Sequence, residues 1–325
     1  MTFRLPRPDS FMIVMLAVLM LATVLPVYGT LSIWFGWLTD AAIALLFFLH
    51  GAKLSRRAIV QGIGAVKLHV MVFLTTFALF PLAGLGIAAL LAGVVDPAIL
   101  AGVVFLCIVP STVQSSIAFT SMAGGNVPAA ICSASISNLA GVVVTPTLAA
   151  LLLAGKSGAD FDMVGAAQKI AVQILLPFVA GHLCRPLVGG WIDRHKSLVG
   201  RVDRGSILLV VYGAFSAAVV EGLWRRVGAL DLALVVVLSV VLLALLLGIT
   251  MLAGRWAGLP REERVVLVFA GSKKSLASGV PIAGALFPAA IVGPMILPLM
   301  VFHQIQLMVC TVIALRYARE GRTAC

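Results

Sequence analysis

Apolar runs of roughly 20 residues recur along the whole chain, and a run of that length is what one helical crossing of a bilayer requires. They fall near residues 11–28, 38–52, 68–91, 98–122, 127–153, 164–184, 206–220, 230–254, 265–287 and 289–315. In hydrocarbon no water can pair with free peptide groups, so segments of this kind are restricted to helices that satisfy their own backbone. Composition agrees. Hydrophobic residues make up 62% of the chain, charged residues 11%, and the mean hydropathy is +1.14, where a soluble domain is about 25% charged. The sequence therefore predicts an all-α membrane protein with ten transmembrane helices. The run after Arg4 and Arg7 reads as a retained first span, since no small-residue cleavage site follows it.

A formal charge of +11 would suit nucleic acid if it were gathered on one patch, but its distribution gives another meaning. With the N-terminus placed inside, 17 of the 23 Lys and Arg fall on the cytoplasmic side. Lys156, Lys169, Arg225 and Arg226 fall on the opposite side, and Lys273 and Lys274 lie within a span. This is the positive-inside bias. It predicts both termini in the cytoplasm, an even number of spans and a bacterial inner (plasma) membrane location. The basic loops then meet anionic lipid, and no nucleic-acid partner is expected. The five cysteines (Cys107, Cys132, Cys184, Cys310, Cys325) form neither a disulfide framework nor zinc spacing. They read as packing residues. No cofactor is expected, and the sequence leaves the oligomeric state open, a monomer being compatible with it.

The chain carries a faint internal repeat. Setting 103–119 against 265–281 without gaps matches Val103 with Val265, Val104 with Val266 and Ser116 with Ser278. The same shift of 162 positions carries LFFLHGA at 46–52 onto LLVVYGA at 208–214. One shift that serves two distant segments is the mark of a duplicated half. Ten spans then divide into five per half, and an odd number inverts the second half relative to the first, as in several secondary transporters. The expected organisation is a first five-helix repeat at 1–154, a connecting loop at 155–163 and a second repeat at 164–325. A basic cytoplasmic loop is expected at 189–204.

The chemistry is expected where helices are interrupted. Pro110 has no backbone donor and disfavours helix at Val109. Ser111, Thr112, Gln114, Ser115 and Ser116 offer replacement polar groups beside it. The equivalent place in the ninth span reads Ser272-Lys273-Lys274-Ser275, with Ser278 one turn on. Two ammonium groups in an otherwise uncharged stretch cannot rest in hydrocarbon and mark a functional site. If both breaks lie at mid-depth and cross, the positive ends of two half-helices and the two lysines make a pocket for an anion. A small organic anion is the expected substrate. In the tenth span His303, Gln304 and Gln306 form a further polar patch, where His303 is suited to proton transfer. No Asp or Glu is available in the crossing region to build a carboxylate cation site.

Five stretches together resemble one family. They are LFFLHGAKLS (46–55), VPSTVQSSIAFTSMAGGN (109–126), VVVTPTLAALLL (142–153), FAGSKKSLASGVP (269–281) and LMVFHQIQLMV (299–309). The chain resembles the bile acid:sodium symporter superfamily, in its divergent bile acid symporter-like branch of sodium-dependent transporters. The resemblance implies ten helices in a panel domain and a core domain, with the fourth and ninth helices broken and crossing beside the substrate and ion sites. It also implies an alternating-access cycle. One sodium site of the family uses an acidic residue and glutamines at positions that look like Ser272, Leu276 and Thr76 here, so its carboxylate is missing. A second sodium site is implied near Ser115, Ser116 and Ser133, close to Asn126, although Ala130 and Ala134 stand where the family has hydroxyls. A lysine ammonium would serve as a built-in cation. That leaves sodium coupling, proton coupling and uncoupled passage open.

The reading is thus a secondary active transporter for a small organic anion rather than an enzyme. A membrane enzyme would need a nucleophile, metal cluster or carboxylate pair within reach, and the spans hold no such pairing. A non-transporting regulatory protein would need no pocket at all.

Overall fold

A computed structural model describes residues 10–53, 64–153, 168 and 170–323. The connecting loop expected at 155–163 and the basic residues Arg4 and Arg7 lie outside them. Among the described residues the secondary structure is helical, without strands. We number the helices α1 (Ser10–Val24), α2 (Thr30–Lys53), α3 (Val66–Leu90), α4 (Pro97–Ile108), α5 (Gln114–Met122), α6 (Val127–Leu153), α7 (Leu176–Arg194), α8 (Lys196–Val220), α9 (Ala229–Trp256), α10 (Arg261–Gly271), α11 (Leu276–Leu286) and α12 (Ala289–Thr323). A π-helical turn, Thr75–Leu79, lies inside α3, and another, Ile170–Leu175, leads into α7.

Eight helical segments among the described residues are long and apolar enough to cross a membrane. Eight of the ten expected spans overlap these segments. The first and fourth differ from expectation in length: α1 has 15 residues and α4 has 12. In the fourth span Pro110 divides the apolar run, so neither piece spans alone. The basic loop expected at 189–204 is also corrected. Those residues extend α7 and α8, with only His195 between them. The apolar run sets how much helix lies in hydrocarbon, and polar residues simply continue it outward.

The polarity of the molecule runs opposite to that of a soluble protein. Large apolar side chains such as Leu90, Leu187, Trp34 and Leu230 are exposed on the outside, while Ser111, Ser116, Ser272, Lys273, Lys274 and Gln306 are buried. Lipid can solvate the first group but not the second. In the most apolar 18-residue stretch of Arg261–Leu286, 94% of the residues are buried, against 17–44% in the corresponding stretches of the other candidate spans. The lysine pair is therefore held inside protein.

Close helix approach depends on small residues. A β-carbon on Gly51 would stand 2.0 Å from the Phe178 carbonyl oxygen, and one on Gly181 would stand 2.0 Å from that of Phe48. The α2/α7 pair can pack this closely only because both positions lack a side chain, the general use of glycine between membrane helices.

Candidate functional site

The two expected interruptions are present, and they touch. α4 ends at Ile108, Val109 is extended, and α5 begins at Gln114. α10 ends at Gly271, and α11 begins at Leu276 with Ser275 as its N-cap, its hydroxyl oxygen accepting from the Ser278 N–H at 3.1 Å. The Ser275 N–H donates to the Pro110 carbonyl at 2.8 Å, which fixes the crossing point.

Buried backbone freed by a break must find partners, and each break here is satisfied from two directions. The first direction is the other break. The Ser111 and Ser116 hydroxyls donate to the carbonyls of Ala270 (2.5 Å) and Phe269 (3.0 Å) at the end of α10. The Lys274 ammonium donates to the carbonyls of Cys107 (2.6 Å) and Val109 (2.9 Å) at the end of α4, and to that of Thr76 (2.8 Å) in the π turn. The second direction is the long helix that follows each break. From α6, Ser137 accepts from the Ser111 N–H, Asn138 donates to the Ser111 carbonyl, and Thr145 donates to the Ile108 carbonyl. From α12, Gln306 clasps Lys274, accepting its N–H at 2.9 Å and donating to its carbonyl at 2.8 Å. Gln306 also bonds His303 Nδ1.

A cavity of about 320 Å3 opens beside the crossing. Its inner wall is formed by Thr112, Gln114 and Ser115 at the start of α5 and by Ser275, Ala277 and Ser278 at the start of α11. Two helix N-termini thus face one space, and each carries partial positive charge. Asn138 joins the two, accepting from the Ser278 hydroxyl at 2.8 Å while its amide holds Ser111. Apolar side chains including Phe47, Phe178, Leu139 and Ile282 line the middle, and His303 lies on the wall. At the other end stand His50, Lys53, Asp203 and Arg204, with Lys53 paired to Asp203 between α2 and α8.

The predicted residues separate into four groups. Thr112, Gln114, Ser115, Ser275, Ser278 and His303 line the cavity, while Ser111, Ser116 and Ser272 serve the breaks, Ser272 by bonding back to Val268. Neither Lys273 nor Lys274 lines the cavity, which corrects the expected lysine-walled pocket. Both are fully buried. The Lys273 ammonium sits 3.2 Å from the Ser115 hydroxyl and 4.4 Å from the centre of the Phe119 ring. Lys274 turns to the three carbonyls and to Phe80, 4.2 Å from the ring centre. Carbonyls at helix C-termini and aromatic faces carry negative potential, and they attract the ammonium groups away from the positive N-termini. The remaining group lies elsewhere. Asn126 caps α6 through the Ala129 N–H, Gln304 is half-buried and off the cavity wall, and Ser133 bonds the buried His69 at 2.7 Å. The hydroxyls expected around a sodium ion are therefore divided: Ser115 and Ser116 join a Thr112-centred cluster beside Lys273, and Ser133 pairs with His69.

Sequence reasoning missed Asn138 and the Lys53, Asp203 and Arg204 group. Asn138 was visible as the one amide in the apolar run of α6. Lys53 and Arg204 are, in the sequence, two of the 17 cytoplasmic basic residues, and Asp203 carries no local signal of its own.

Comparison with known proteins places the chain in a family. The sequence is 53% identical over 315 residues to the protein PA2026 of Pseudomonas aeruginosa, covering 96% of this chain and 94% of that one. It is 50% identical over 313 residues to YfeH of Escherichia coli, a protein named as a symporter, covering 96% and 93%. Sodium/bile acid cotransporter 7 of Rattus norvegicus is 26% identical over 275 residues, covering 84% and 80%. Residues 9–319 match the sequence profile of one transporter family. The chain is an integral membrane protein that belongs to the SBF-like CPA transporter family, whose resemblance to bile acid:sodium symporters its broken-helix motifs carry.

Proposed function

We propose that this protein is a secondary active transporter that carries a small organic anion by alternating access. The observation that carries this reading is the pair of half-helix N-termini, at Gln114 and Leu276, opening onto one cavity. Helix N-termini with aligned dipoles favour an anionic group. The apolar middle wall suits an organic body, and at the far end Arg204 adds a positive charge beside the Lys53–Asp203 pair.

The architecture we infer is two inverted five-helix repeats, with α1, α2, α7 and α8 as a panel and the remaining helices as a core. The register supports it. Gln114 and Leu276 begin helices 162 residues apart, and so do Val127 and Ala289. The exchange of hydrogen bonds between breaks, and the support each gets from the following helix, are what a two-fold relation would produce. The distribution of Lys and Arg supports a bacterial inner-membrane location with both termini in the cytoplasm, which puts the Lys53 and Arg204 end of the cavity on the cytoplasmic side.

Purified protein in liposomes tests the reading. Saturable uptake of a radiolabelled organic anion is expected, with a bile acid and a set of small carboxylates as first probes. Binding and flux absent for every anion in such a set would remove the carrier reading in favour of a regulatory protein. His50 and His303, which both line the cavity, favour a second form of the reading in which protons drive transport. Uptake that follows an imposed pH gradient distinguishes it from uncoupled passage.

A further inference from the structure

Three main-chain carbonyls converge on one point at the crossing, and each has been freed by a local device. In an α-helix the Thr76 carbonyl would accept from the Phe80 N–H. In the π turn that N–H bonds the Thr75 carbonyl instead, and the next residue, Pro81, has no N–H to offer. The Cys107 carbonyl would accept from the Ser111 N–H, which α6 has captured through Ser137. Val109 is extended and makes no helical bond. Inward-facing carbonyls at unwound segments and half-helix C-termini are how membrane transporters coordinate a monovalent cation. Here the ammonium of Lys274 occupies that point, and all three of its N–H donors are used on the three carbonyls.

We propose that Lys274 is a resident cation: its tethered ammonium fills a coordination position that would otherwise take a dissolved monovalent ion, so transport needs no sodium at this position. The inference rests on the transporter reading for its consequence but not for its geometry. Three features support it together. The side chain is fully buried, the Phe80 ring closes the fourth side, and Gln306 fixes the lysine's own peptide groups. A dissolved sodium ion beside Lys274 would meet a positive charge with no carboxylate to offset it, since none lies between Arg264 and Glu320 or between Asp96 and the end of α6.

The test compares wild type with Lys274→Ala in detergent, without substrate, so that its outcome is independent of whether an anion is carried. Melting temperature is read at constant ionic strength in sodium, ammonium or choline chloride. Wild type is expected to melt at one temperature in all three salts. Lys274→Ala is expected to melt roughly 10 °C lower in choline, as loss of a buried partner implies. It should recover in ammonium or sodium with saturation, as ligand binding to the folded state requires. If the variant does not fold in choline, appearance of the monodisperse folded species on adding ammonium or sodium is the same readout. A wild type stabilised selectively and saturably by sodium, or a variant that neither cation restores, would overturn the proposal. In liposomes, wild-type uptake that stops when sodium is replaced by choline would overturn its functional consequence. Absence of any uptake would count only against the carrier reading.

Discussion

Two adjacent lysines with the same burial do different work, and the difference lies in what each would leave behind. Removing the Lys274 ammonium strands three buried carbonyls, each of which costs about 1–3 kcal/mol unpaired. Removing that of Lys273 strands almost nothing, because the Ser115 hydroxyl keeps its bond to Thr112 at 2.8 Å. What is lost there is a cation–π contact worth roughly 2 kcal/mol when desolvated, set against relief from burying a charge. Lys273→Met is therefore expected to change stability by no more than about 1 kcal/mol in either direction, and Lys274→Met to lower it by about 3–5 kcal/mol. Chemical denaturation or thermal melting of the two variants in the same detergent decides this, and equal losses would refute the assignment. From sequence the pair could be singled out as costly, but not told apart. That distinction needed the positions of Thr76, Cys107 and Val109, which come from two other helices.

At the scale of elements, the sequence revealed interruptions better than it revealed contacts. The break at 109–113 was legible because Pro110 acts on its own neighbours, and the break at 272–275 because two ammonium groups cannot lie in an uninterrupted lipid-facing helix. Local chemistry decides both. By contrast, Lys53 and Asp203 are 150 residues apart, and no periodicity links the end of α2 to the start of α8. The α2/α7 crossing was equally hidden, although its glycines are plain in the sequence, since a helix-interior glycine does not say which helix it faces. The structure separates them. Gly181 has the Phe48 carbonyl 2.0 Å from where a β-carbon would go, whereas Gly190, on the same helix, has no atom within 4 Å. Gly181→Ala must push two backbones apart and is expected to lose most of the folded, monodisperse protein. Gly190→Ala, with only helix propensity to gain, is expected to be neutral or stabilising by up to about 1 kcal/mol. Size-exclusion profiles after extraction compare them, and a well-folded Gly181→Ala would mean that α2 and α7 do not pack as described.

For the whole molecule, the cavity and a close-packed seam between α8 and α12 lie toward opposite ends of the same two helices. On α8 the cavity touches Gly200, Asp203, Arg204 and Ile207, while Ala214 and Ala218 meet Gly293 of α12. On α12 it touches His303 and Leu307, 10 to 14 residues beyond that seam, or about 15–21 Å at 1.5 Å per residue. Under the proposed carrier reading, a cavity toward one end and a close-packed seam toward the other correspond to one state of an alternating-access cycle. The seam has no room to spare. A β-carbon on Gly293 would lie 2.5 Å from the Ala218 β-carbon and 3.1 Å from the Ala214 carbonyl oxygen, so Gly293→Leu cannot close the seam as it stands. A close-packed interface responds to such a wedge by switching between discrete arrangements rather than by deforming gradually, and the substitution is expected to favour the state open at the other end. Gly200→Cys on a cysteine-free background reports this, because Gly200 lines the cavity mouth and a β-carbon there meets nothing within 4 Å. Its labelling by a water-soluble maleimide is expected to be rapid alone and at least about tenfold slower with Gly293→Leu, which corresponds to a shift of about 1.4 kcal/mol in the balance of states. Unchanged labelling in a folded double variant would show that the seam and the cavity mouth are not coupled, and the two ends of α8 would then have to move independently.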